Sequence, residues 1–182
     1  KYHLGRFLLE SEIPIPELTL EPEGQEASGA FIRLGKVPEK LENVVANESR
    51  WWASRDEYLL RVPDVAGFHV SHGREVVVEP APNALPADIR AYLLAPIFSN
   101  LCYQAGIYAL HASSVRVGDG VAALLGPSGA GKSTLAAYLD RRGYPVVADD
   151  ICLIDPRAAW RDGEPGEALV VLAYQERTAR YR

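Results

Sequence analysis

The rhythm of hydrophobic and polar positions changes near residue 86. Before it, short apolar runs alternate with Pro and Gly, and Phe7-Leu-Leu9, Phe31-Ile-Arg-Leu34, Tyr58-Leu-Leu-Arg-Val62 and Glu75-Val-Val-Val-Glu79 read as strands. Gly67-Phe-His-Val70 and the run 75–79 flank Ser71-His-Gly-Arg74, which predicts a hairpin turn. Residues 1–85 are therefore expected to form a small antiparallel β domain. From Pro86, Ile89, Leu93, Ile97 and Leu101 recur at helical spacing. Pro86 suits a first helical turn, Gly106 suits the stop, and Pro96 predicts a kink. Residues 86–106 are read as a helical connection, either a linker or the first element of a second domain over 107–182.

The second half opens with a strand over 107–117, a tight turn at Gly118-Asp-Gly120 and a strand over 121–125. A Gly-rich loop follows, then a helix over 134–142 whose Leu135, Ala136 and Leu139 share one face, with Gly143 in the C′ position that ends it. Pro145-Val-Val-Ala148 reads as a short buried strand ending in Asp149-Asp150, and Ile151-Cys-Leu-Ile154 resumes strand character. Residues 155–168 are a polar, Pro/Gly-rich loop before a last apolar run, Leu169 to Ala173.

Composition narrows the class. A chain of 182 residues with 48% hydrophobic and 24% charged residues matches a folded globular protein of one or two domains. The formal charge of -5 lacks the basic excess that binding a nucleic-acid backbone requires, so nucleic acid is not expected as a partner. No apolar run approaches the ~18 residues of a membrane span, and Glu10 and Glu12 interrupt any signal-peptide core. No membrane partner and a cytoplasmic location are the resulting expectations. Cys102 and Cys152 make neither a disulfide framework nor a metal knuckle and are read as buried thiols. The absence of methionine implies a trimmed natural start.

The chemistry is concentrated in Gly126-Pro-Ser-Gly-Ala-Gly-Lys-Ser133, which matches the phosphate-binding pattern G-x-x-x-x-G-K-[ST] directly after a predicted strand and before a predicted helix. At ordinary residue frequencies, four fixed positions match by chance in such a chain on the order of one time in a hundred. The glycines let the backbone wrap a polyphosphate and turn N–H groups toward its oxygens. Gly126, Ser128, Gly129, Ala130, Gly131, Lys132, Ser133 and Thr134 are the expected ATP-binding residues, with Lys132 on the β- and γ-phosphates and Ser133 on Mg²⁺. Lys132 is one of only four lysines in a chain that otherwise prefers arginine. Asp149-Asp150 stands at the strand end where such proteins place a metal-side carboxylate. Its neighbouring carboxyls point different ways, so one can serve Mg²⁺ while the other accepts a proton from an attacking hydroxyl. His111, on the strand whose hairpin partner runs into the loop, is a third candidate.

In three features and their order, the chain resembles HPr kinase/phosphorylase: His111-Ala-Ser-Ser-Val115, the loop 126–133, and Leu139-Asp-Arg-Arg-Gly-Tyr-Pro-Val-Val-Ala-Asp149-Asp150. The resemblance covers roughly residues 107–155. It implies an α/β chain in which a P-loop kinase domain like the C-terminal domain of that family, on a mostly mixed sheet, follows the small antiparallel β domain. It further implies an ATP- and Mg²⁺-dependent transfer of the γ-phosphoryl group to a serine. Lys132 and Ser133 would bind phosphate and metal, Asp149 would be the base, Asp150 would assist the metal, and His111 would support the catalytic aspartate. Pro127, Ala112 after His111, and the lack of the family's later segment after Asp155 depart from HPr kinase itself. They are closer to its divergent relatives in peptide-biosynthesis clusters, including the lasso-peptide kinases, so the expected partner is a peptide or protein carrying an acceptor serine. The N-terminal domain is read as a platform for substrate capture or for homo-oligomer contacts. A nucleotide-gated binding module without phosphoryl transfer, and a nucleotide hydrolase without an acceptor, are the alternatives.

Other signals read as structural. His69 and His72, three apart on a strand, face opposite sides and make a poor metal pair. Trp51-Trp52 reads as packing before it reads as a peptide-binding patch, and Arg141-Arg142 suit the dipole at a helix end. Arg177, Arg180 and Arg182 read as a solvated terminus.

Overall fold

The computed structural model describes residues 1–4, 7–20, 29–156, 160–161, 164–165 and 170–172. The fold is mixed α/β, with a large sheet and few helices, and the chain divides into two compact units, Lys1–Ala105 and Gly106–Arg182. Arg177, Arg180 and Arg182 lie outside the described residues.

The first unit comprises β1 (Tyr2–Leu4), β2 (Phe7–Ser11), β3 (Thr19–Leu20), β4 (Ala30–Leu34), β5 (Ala46–Glu48), β6 (Trp51–Ala53), β7 (Glu57–Val62), β8 (Ala66–Ser71) and β9 (Glu75–Pro80). Its helical part is α1 (Pro86–Tyr92), a π-helical turn (Leu93–Ile97) and α2 (Phe98–Gln104). The strands form one nine-stranded sheet in the order β3-β1-β2-β4-β9-β8-β7-β6-β5. This is larger than the expected small antiparallel sheet and not purely antiparallel, because β4 runs parallel to both β2 and β9. These two junctions join strands far apart in sequence, which no hairpin signal announces. The anticipated hairpin joins β8 to β9, with His72 and Gly73 both at positive φ in its turn.

Why β8 and β9 read as nearly continuous apolar runs is clear from their two faces. On one, Phe68 and Val70 stand opposite Val78 and Val76, and Ile32 and Val76 share an interior space with Leu93, Ile97 and Leu101 of the helical segment. Phe68 meets Tyr92 of α1 with ring centroids 6.0 Å apart. On the other face, Val37, Leu59 and Val77 form a buried cluster against which Leu41 and Trp52 pack. Val37 presses so closely on Gly67 that an added Cβ would lie 2.4 Å from its Cγ2.

The helical segment thus belongs to the first unit rather than acting as a linker or opening the second. Pro96, expected as a kink, is absorbed in the π-helical turn, where the Phe98 N–H reaches back to the Leu93 carbonyl. A missing proline N–H is accommodated by such a local change of hydrogen-bond register. At the far end the Gln104 amide accepts from the Gly73 N–H at 2.9 Å and donates to the Val70 carbonyl at 3.4 Å, fastening α2 to the β8–β9 hairpin. Trp51, on β6, stacks obliquely on Tyr58 at 6.3 Å. His69 donates to Glu57 at 2.9 Å, and so is held by a carboxylate rather than paired with His72.

The second unit contains β10 (Tyr108–Leu110), β11 (Ala112–Val117), β12 (Gly120–Leu125), α3 (Lys132–Asp140), β13 (Val146–Ala148), β14 (Cys152–Asp155), β15 (Trp160–Arg161), β16 (Glu164–Pro165) and β17 (Val170–Leu172). Its sheets run β12-β11-β13 and β10-β14-β17, with the short pair β15-β16 inside the stretch expected to be loop. Among the described residues every pairing is antiparallel, in place of the mostly mixed sheet expected. The reason is topological: β12 and β13, joined through α3, run the same way but lie on either side of β11, so neither pairs with the other. Gly143 closes α3 at φ +88 as the C′ residue, with N–H groups of Gly143 and Tyr144 bonded to the Asp140 and Leu139 carbonyls. Of the expected apolar face of α3, Ala136 is buried, Leu139 is half-buried and Leu135 is exposed; in β13 only Ala148 is fully buried. Both cysteines are free and buried. Among the described residues, no helix is long and apolar enough to cross a membrane.

This packing has two measurable effects. At Gly73, φ is +62 and a Cβ would lie 2.7 Å from the Ala105 nitrogen. Gly73→Ala should therefore lose at least about 1–3 kcal/mol in chemical denaturation. Burial pushes the Cys102 thiol up to about 12. A raised thiol contributes stability in full below its unfolded value of about 8.5, and that contribution is lost as pH rises toward the folded value. Native protein at pH 8 should thus leave Cys102 unlabelled by a thiol reagent, with stability declining as the solution is made more alkaline; rapid native labelling would contradict this burial.

Candidate functional site

Three segments converge at one end of the β12-β11-β13 sheet. Leu125, the last residue of β12, is paired with Ala112, the first of β11, and Ala148, the last of β13, is paired with Ser114. The loop 126–133, the residue preceding β11 and the pair Asp149-Asp150 therefore leave the sheet at the same edge. His111 separates β10 from β11, while Asp149 to Ile151 separate β13 from β14. The pairings Leu110 with Cys152 and Ser114 with Ala148 keep a single antiparallel register across this interruption. Asp150 sits in the interruption with φ +74, a left-handed conformation that aspartate tolerates better than most residues.

In the loop, Gly129 and Gly131 adopt φ +81 and +86, and a Cβ on either would meet nothing within 4 Å. Backbone conformation, not crowding, makes them glycine, and alternating handedness of this kind turns successive N–H groups toward one point. Gly131 is also the N-cap of α3, whose first-turn N–H groups lack intrahelical acceptors. Lys132 folds back over the loop, its Nζ donating to the Gly126 carbonyl at 2.9 Å and to the Pro127 carbonyl at 3.1 Å.

A cleft of about 310 Å³ opens beside the loop. It gathers Ser128, Gly129, Gly131, Lys132, Ser133 and Thr134 with His111 and Asp150. Gly126 and Ala130 belong to the loop without lining the cleft. The two aspartates have separate partners. His111 Nδ1 lies 3.0 Å from the Asp150 carbonyl and 3.1 Å from Asp150 Oδ1. A carbonyl can only accept, so Nδ1 carries the hydrogen. His111 thus supports Asp150, whereas the aspartate expected as its partner is Asp149. Asp149 instead accepts from Ser113 Oγ at 2.6 Å.

Ser113 is the residue sequence reading missed. It is fully buried on β11 and lines the same cleft. A small polar residue on a strand carries no signal by itself; only the register that sets it opposite Asp149 reveals its role. Next to it, Ser114 is also fully buried and donates toward the Ala148 carbonyl at 3.5 Å. Burial raises the Cys152 thiol, and a hydrogen bond with Ser114 opposes that shift.

The donor set bears on which cation could sit here. Among the described residues, no group of three His, Cys, Asp or Glu side chains could cage a metal. Asp150 is the one carboxylate among the described residues that line the cleft, beside the hydroxyls of Ser113, Ser128, Ser133 and Thr134. A set with a single carboxylate fits Mg²⁺, which keeps several waters and takes phosphate oxygens as ligands. Comparison with known proteins finds no matching family model, curated protein or solved structure.

Ser113→Ala removes the donor to a partly buried carboxylate. It should cost about 1–3 kcal/mol of stability in urea denaturation; an unchanged midpoint would mean that this contact contributes nothing.

Proposed function

We propose that the chain is an ATP- and Mg²⁺-dependent kinase that transfers the γ-phosphoryl group to a serine hydroxyl of a peptide or protein, with a P-loop domain of the HPr-kinase-like type. The observation that carries this reading is the meeting of the Gly-rich loop with His111, Ser113, Asp149 and Asp150 at one sheet edge. A phosphate loop alone binds nucleotide; carboxylates beside it add the means to take a proton from an acceptor and to face a metal.

In this reading the loop N–H groups and Lys132 hold the polyphosphate, with Lys132 exchanging its two carbonyl contacts for phosphate oxygens. Asp150 and Ser133, in the same cleft, face the metal side. Mg²⁺ would supply charge neutralisation as negative charge moves toward the leaving ADP. Asp149, oriented by Ser113, takes the proton as the serine oxygen bonds to the γ-phosphorus and the bond from that phosphorus to the β,γ-bridging oxygen breaks. Catalysis of this type rests on positioning and electrostatics.

Lys132→Ala should abolish ATP binding in calorimetry. Asp149→Asn should retain binding and lose about 10²–10⁴-fold in label transfer from γ-labelled ATP to a serine acceptor in a peptide extract. Undiminished transfer by Asp149→Asn would remove it as the base. Tight, Lys132-dependent ATP binding without any acceptor label would favour a nucleotide-gated binding module.

A further inference from the structure

We propose that the first unit carries a binding site for an acidic, extended peptide segment, at the sheet end formed by the β5–β6 turn, the β7–β8 turn and the end of β9. A cleft of about 610 Å³ opens there, lined among others by Lys36, Arg50, Trp52, Arg61 and Glu79. That volume lies within the range of ligand sites and far exceeds one small anion.

Charge selects the class of ligand. In a chain of net charge -5, this cleft collects three cations and one carboxylate. The carboxylate is already engaged: Glu79 accepts from Lys36 Nζ at 2.6 Å and from the Val37 N–H at 3.0 Å. Arg61 is pre-set, donating from Nη2 to the Val37 and Pro38 carbonyls at 3.2 and 2.8 Å and from Nε to Pro38 at 3.3 Å. These bonds leave Nη1 to a ligand. Arg50 is exposed and its guanidinium has no protein partner among the described residues. Arg50 can grip a carboxylate with paired hydrogen bonds, and Arg61 can add a contact through Nη1 alone.

The walls select a peptide. Trp52 is half-buried, and Pro63, Pro80 and Pro82 complete an apolar lining between the cations. Indole and proline surfaces suit aliphatic or proline side chains set between acidic ones. A nucleic acid would require a longer basic stripe than the chain possesses. This proposal goes beyond the kinase reading and does not rest on it, since binding here requires neither nucleotide nor the Gly-rich loop.

The test is fluorescence anisotropy of the full chain without nucleotide, using a labelled peptide of alternating Glu, Leu and Pro, its Gln-for-Glu counterpart, and a short oligothymidylate as competitor. The Glu peptide should bind and weaken as salt rises from about 50 to about 300 mM, while the Gln peptide binds at least about tenfold less tightly. Arg50→Glu should weaken the Glu peptide about fivefold or more, with an unchanged circular dichroism spectrum and unchanged ATP binding. Lys132→Ala should bind the peptide as the parent chain does. Absence of binding, equal affinity for the Gln peptide, indifference to Arg50→Glu, or tighter binding of the oligothymidylate would each overturn the proposal.

Discussion

The geometry of the second unit depends on how β11 pairs with its two neighbours. Backbone hydrogen bonding sets β12 and β13 on either side of β11 with their ends at one edge. Because that ladder keeps one register from Leu110–Cys152 to Ser114–Ala148, the residues between must accommodate the interruption without displacing the strands on either side of it. Asp150 does so by turning left-handed, and His111 takes up its carbonyl. The Asp150 carbonyl, which leaves the ladder at an exposed position, takes its hydrogen bond from this side chain. The consequence is chemical as much as structural, since the same turn presents the Asp150 side chain to the cleft beside the Gly-rich loop.

The neighbouring aspartates are tolerable because they are not equivalent. Asp149 is drawn inward by a buried hydroxyl, while Asp150 faces outward with an imidazole. Two adjacent carboxylates with different partners can be given different tasks, and the part-buried Ser113–Asp149 bond lies in less polar surroundings than the exposed His111–Asp150 contact. In the first unit the same economy of polar groups appears at the Gln104 amide, which satisfies both a hairpin N–H and a strand carbonyl while docking a helix.

Much of the local structure was legible in the residues alone. The hairpin at residues 71–74, the tight turn before β12, the Gly-rich loop and the Schellman end of α3 all rest on residues whose φ preferences act locally, such as Gly129, Gly131 and Gly143. β5 and β6 escaped notice because Ala46-Asn-Glu48 shows no apolar alternation and Trp51-Trp52-Ala53 is too short to show any. Their strand character comes from pairing with β7. The parallel junctions of β4 were equally invisible, since nothing in a strand's own sequence names a distant parallel partner. The helix over 86–104 was visible as a helix, but its allegiance was not: an apolar stripe says that a face must be covered, and leaves open by what.

The order of amino acids thus dictates the phosphate-loop backbone, the turns, the helix ends and the apolar faces, because each arises from the conformational preferences of a few adjacent residues. It takes the folded ladder to establish that Ser113 holds Asp149 and His111 holds Asp150, across separations of 36 and 39 residues. Contacts at that range are set by strand register and by the entropy of closing long loops, which is recovered only when the whole ladder forms. A one-residue change in that register would exchange the faces of the strand and undo the assignment, although no residue in the chain would have changed.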